Sequence, residues 1–96
     1  MSIIFTQYLM PHGRATRTEI DMPAEIEAMA NKFVRSGGWY ESEMLSDYQT
    51  ISLTACHKID GESQDVVTKL CKNSPDVVAA VEYVVRESVK WMDKSA

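Results

Sequence analysis

Two cysteines, two histidines, three prolines and four glycines are all that this 96-residue chain offers of the residue types that usually announce a chemistry. There is no Cys-x-x-Cys, no histidine pair at helical spacing and no Asp-rich loop, so the ligand spacings of zinc and calcium sites are missing. No metal or cofactor is expected. Gly13, Gly37, Gly38 and Gly61 stand singly or at a helix end, and none precedes a helix start, where a phosphate cradle needs its glycines. Long apolar runs are also missing. Ile3-Ile4-Phe5 is followed within a few residues by Gln7 and His12, too short a run for a secretory core or a membrane span. Without an export signal the cytosol is the expected compartment, and the two cysteines read as free thiols. Positive charge is in deficit as well: ten basic residues against fourteen acidic give a net charge of −4 and a pI near 5.0. That balance opposes the attraction to phosphate behind most nucleic-acid binding.

What is present describes one folded domain spanning residues 1–96. Hydrophobic residues make up 45% and charged residues 25%, ordinary for a globular protein and far from the disordered range. Residues 2–10, "SIIFTQYLM", are rich in β-branched and aromatic types and run into the turn cluster Pro11-His12-Gly13-Arg14. A hairpin centred on His12-Gly13 pairs Phe5 with Ile20 and Ile3 with Met22, with Ile3, Phe5, Leu9, Ile20 and Met22 on one side. Its other side carries Ile4, Tyr8, Arg17, Glu19 and Asp21. Pro23 suits a first helical turn, Asp21 can cap it, and Ile26, Met29, Ala30 and Phe33 recur at helical spacing, so residues 23–36 form a helix stopped by Gly37-Gly38.

A meander follows. A turn at Asp47-Tyr48 sets Tyr40, Ser42 and Met44 against Ala55, Leu53 and Ile51, and the Asp60-Gly61 hairpin brings Val66 and Leu70 to the same face. Ser74 as N-cap, Pro75 and Asp76 open a second helix, with an apolar stripe of Val77, Val78, Val81, Val84, Val85, Ser88 and Met92. The fold class is α+β, in the order ββαβββα: an antiparallel sheet with two helices packed on one face and the other face wholly or partly open. How the first hairpin joins the meander is not readable from pattern.

The stretch "SLTACHKIDG" tempts one to pair Cys56 with His57 as nucleophile and base. Strand period forbids it: His57 lies with Leu53 and Ala55, and Cys56 with Thr54 and Lys58 on the opposite face. Cys56 and Cys71 share the outward side of one hairpin, but Cys71 falls opposite Thr50 or Ser52, beyond disulfide reach. Glu41 and Glu43 project together at about 7 Å, a spacing that superficially suits acid–base work and equally suits a solvated strand face. From Pro23 onward the element order matches a double-stranded-RNA-binding domain. The basic cluster such a domain carries at its second helix start is replaced here by Asn73-Ser74-Pro75-Asp76.

The outer sheet face holds the remaining signal. Tyr8, Trp39, Ile4 and Leu45 are larger and more apolar than water-facing positions need, and Glu19, Glu41 and Glu43 are interleaved with them. Aromatics ringed by acids suit a basic or mixed protein surface, which makes Tyr8, Trp39, Glu41 and Glu43 the candidate protein-binding residues. Trp91 either caps the core or serves self-association.

The strings "IIFTQYLMPHGR", "DMPAEIEAMA", "EMLSDYQTISLT" and "CKNSPDVVAAVEYVV" together resemble a group of small phage- and prophage-encoded proteins of unassigned function, over most of the chain. The resemblance implies a phage accessory protein in the bacterial host cytosol, acting by binding host machinery, including defence complexes such as CRISPR effectors. It carries over no catalytic residue. Three functions follow as expectations: a non-enzymatic host-protein binder with no membrane or direct nucleic-acid partner, a homodimer or larger homo-oligomer serving phage structure or assembly, and a small enzyme using Cys56 or the Glu41/Glu43 pair.

Overall fold

The computed structural model describes residues 2–9 and 14–95, with the backbone alone at positions 2, 4, 6–9, 14–16 and 95. The chain runs β1 (Ser2–Leu9), β2 (Arg14–Asp21), α1 (Ala24–Arg35), β3 (Gly38–Met44), β4 (Thr50–Ile59), β5 (Glu62–Lys72) and α2 (Asp76–Ser95). This is the α+β order read from the sequence, and both helices pack on one face of a single five-stranded sheet ordered β2-β1-β3-β4-β5. The sheet is antiparallel except at the junction of β1 with β3, where Thr6 stands beside Glu41 and Tyr8 beside Glu43 in parallel register. The connection dictates that direction. β2 ends beside the start of β1, with Asp21 opposite Ser2, and α1 delivers the chain back to that same end of the sheet at Gly38.

In the first hairpin Ile3 pairs with Ile20 and Phe5 with Thr18, two residues away from the register expected. A two-residue shift leaves every side chain on its face, so alternation alone fits both registers. Ile3, Phe5 and Met22 are buried as expected, Ile20 is partly buried, and Arg17, Glu19 and Asp21 face water. The proposed turn at His12-Gly13 and the side chains of Ile4, Tyr8 and Leu9 lie outside the described residues. Pro23, not Asp21, is the N-cap of α1, and no side chain caps that end.

Helix α1 buries Ile26, Ala30 and Phe33 and ends on Ser36, whose N–H reaches the carbonyls of Lys32 and Phe33. Gly37 then turns at φ +105°, and Gly38 passes so close under the Phe33 ring that a Cβ there would sit 2.3 Å from it. The aromatic rings of Phe5, Tyr40, Phe33, His57 and Trp91 follow one another at 5.0–5.7 Å, so Trp91 belongs to the margin of the core. The Tyr40 hydroxyl lies 2.9 Å from Ser88 Oγ, which donates to the Val85 carbonyl at 2.7 Å. Burial pushes the Tyr40 phenol up to about 12, partly offset by that bond.

The β3–β4 register is as expected: Tyr40, Ser42 and Met44 face Ala55, Leu53 and Ile51. In β5 the pattern breaks. Asp60 and Gly61 form the turn with φ of 52° and 82°, and Ile59 pairs with Glu62 through to Cys56 with Asp65, but Ala55 pairs with Val67. Val66 is the extra residue of a β-bulge, and beyond it every position of β5 is shifted by one. Val67, Lys69 and Cys71 therefore share the helix side, while Thr68 and Leu70 point outward. Val66 is partly buried and packs against the core as expected, whereas the placement of Leu70 in the core and of Cys71 on the outward face is corrected: Leu70 is 58% exposed and Cys71 packs against the core. On α2 the buried stripe is Ala80, Val81, Val84, Val85 and Ser88, with Val78 exposed rather than in it.

Candidate interaction surface

Strand alternation and the four pairings assemble the open face in rows across the sheet. One row runs Arg17, Thr6, Glu41, Thr54, Thr68, and the next runs Ala15, Tyr8, Glu43, Ser52, Leu70. A third places Trp39 against Cys56 and Cys56 against Asp65. The four predicted binding residues thus fall on adjacent strands. Tyr8 is in register with Glu43, but its side chain lies outside the described residues. Trp39 and Glu41 are half-buried and joined: the indole Nε1 donates to Glu41 Oε1 at 2.8 Å. Glu43 is exposed. Between the two glutamates and Ser52 and Thr54 lies a depression of ≈ 60 Å³, no larger than a water or two would fill.

The Trp39–Glu41 bond changes what the pair can do. It ties the indole to the residue two positions along the strand and commits one carboxylate oxygen, so that Glu41 serves as an anchored acceptor. Two further residues belong to this face that the sequence pattern did not single out: Asp65, which sits 3.5 Å from the Cys56 thiol, and Leu70. Leu70 owes its position to the bulge at Val66, and Asp65 to the register set by the Asp60-Gly61 turn. On the outward strand positions the acids Glu19, Asp21, Glu41, Glu43 and Asp65 outnumber Arg17, Lys58 and Lys72, and the cations stand at the ends of the rows.

Cys56 and His57 face opposite sides of β4, as strand period requires. Cys56 is 3% exposed beneath this face, and desolvation, reinforced by the Glu41 and Asp65 carboxylates, pushes its thiol up to about 12. At neutral pH it is a protonated thiol and a poor nucleophile. His57 looks into the helix layer. Its Nε2 is 3.0 Å from the Ser36 carbonyl and its Nδ1 is 2.8 Å from the Lys58 carbonyl, so the ring ties the end of α1 to β4 beside Trp91. Both cysteines are free, and burial also raises the Cys71 thiol.

Among the described residues no cluster of three or more His, Cys, Asp or Glu is arranged to hold a metal ion, and no helix is long and apolar enough to cross a membrane. Comparison with family models, with curated proteins and with solved structures finds no match to this chain.

Proposed function

We propose that this chain is a non-enzymatic phage accessory protein that binds a host protein in the bacterial cytosol through its open sheet face. The bound surface is basic, of the kind that holds nucleic acid in a defence complex such as a CRISPR effector. The observation that supports this most is the one-sidedness of the fold: both helices pack on one face, and no described element lies over the face of Trp39, Glu41 and Glu43. A preordered indole beside anchored and free carboxylates is suited to a partner site lined with Arg or Lys, because aromatic contact supplies affinity and charge supplies orientation and rate.

The test is a pulldown from bacterial lysate with the wild type and with the Trp39→Ala, Glu41→Lys double variant, repeated with a short DNA competitor. Recovery of a partner by the wild type alone, reduced by the competitor, is the expected result. Equal recovery by both proteins removes this face from the function. Leu70, exposed on the same face, favours one rival, a homo-oligomeric assembly protein whose face pairs with its own copy about a two-fold axis. Light scattering separates them: a monomer at tens of micromolar excludes the rival.

A further inference from the structure

On the opposite side of the sheet, α1 starts and ends at the same end of β1, so among the described residues the other end of the helix layer is covered by the first turn of α2. A cavity of ≈ 290 Å³ opens there, walled by Phe5, Ile20, Ile51, Leu53 and Val77, with Ser42 at its floor. Ser42 is 6% exposed and on the helix side of β3, and its hydroxyl makes no hydrogen bond among the described residues. The Ser42 hydroxyl lines the cavity and keeps its hydrogen-bonding capacity for whatever enters it.

We propose that this cavity is a binding site for a small neutral molecule with an apolar body and one hydroxyl or carbonyl, which pairs with Ser42. The lining decides the class. Among the described residues it contains no ionisable side chain: beyond the apolar walls and Ser42, Thr18, Asn73 and Ser74 stand at the rim. The start of α2 is not an anion cradle either. The amides of Asn73, Ser74 and Val77 are already given to the carbonyls of Gln49, Lys72 and Ser74, Pro75 has none to give, and Asp76 adds negative charge. A charged ligand would be desolvated without compensation, whereas an apolar ring is rewarded by burial and its single polar atom by Ser42. The space is far more than one water needs. Because it faces away from the interaction surface, the site does not depend on the function proposed above.

Fluorine NMR with 4-fluorophenol, fluorobenzene and 4-fluorobenzoate as probes tests this. The wild type should bind 4-fluorophenol saturably, fluorobenzene more weakly and 4-fluorobenzoate least. Ser42→Ala should weaken 4-fluorophenol about five- to tenfold, the worth of one hydrogen bond, and leave fluorobenzene unchanged. Val77→Phe, which fills the mouth, should abolish both; if circular dichroism shows that it does not fold, the Ser42→Ala comparison decides alone. No saturable binding of 4-fluorophenol, the result of a cavity that holds water only, overturns the proposal. So does equal loss of phenol and fluorobenzene in Ser42→Ala, or a preference for the benzoate.

Discussion

Gly38 is held by a clash rather than by its backbone angles. The Phe33 ring, itself fully buried against Phe5 and Tyr40 through the Tyr40 ring, leaves no volume for a methyl group at that position. Gly38→Ala should cost about 1–3 kcal/mol, the usual penalty of overpacking, read as a lower urea midpoint with unchanged slope. Asp47 acts through a different device. Its carboxylate accepts the Thr50 hydroxyl at 2.6 Å and the amides of Gln49 and Thr50 at 2.9 and 2.8 Å, which lowers its pKa from 3.8 to about 2. A depressed folded value means that its stabilisation is complete above the unfolded pKa and disappears as pH falls from about 4 to about 2. An NMR titration should place the Asp47 midpoint near 2, and an Asp47→Ala variant should lose the corresponding part of the acid dependence. Cys56 has the opposite sense: a thiol raised to about 12 favours the folded state until the unfolded chain ionises at alkaline pH. Iodoacetamide at pH 8 should therefore leave Cys56 unmodified in the native protein and label it in urea.

At the scale of elements, the bulge at Val66 separates what pattern could show from what it could not. Leu70→Lys should change stability by less than about 0.5 kcal/mol, since the side chain already stands in water, while Val67→Lys, on the helix side, should cost about 1–3 kcal/mol. A register carried unbroken from the Asp60-Gly61 turn predicts the reverse. Periodicity was enough for the element order, the β3–β4 register and both helices, because alternation and the Gly37-Gly38 and Pro75 punctuation speak for themselves over seven or more residues. An extra residue in mid-strand has no such signature: Val66-Val67 is a β-branched pair that reads the same on either face. The parallel pairing of β1 with β3 was hidden for another reason. It joins segments that no turn connects, and only the return path of α1 fixes it. The candidate surface was legible as Trp39, Glu41 and Glu43, since these share one regular strand. Leu70 came to it only through the bulge, whereas Asp65 follows from the turn register opposite Cys56, and the Trp39–Glu41 bond depends on rotamers that spacing does not specify.

For the whole molecule, the parallel junction of β1 with β3 has a kinetic meaning. Every other strand pairing closes a short hairpin, whereas Thr6 and Glu41 meet only after a loop of about 35 residues is closed. The meander and α2 can assemble from neighbouring segments and offer a ready template, to which the first hairpin and α1 are added in a later step. Native-state hydrogen exchange should divide accordingly, with β4 amides opening only in global unfolding and β2 amides, at the far edge, exchanging first. A nascent chain would thus emerge from the ribosome with its first 22 residues waiting for the strand that receives them, and would spend that interval with Ile3 and Phe5 unsheltered.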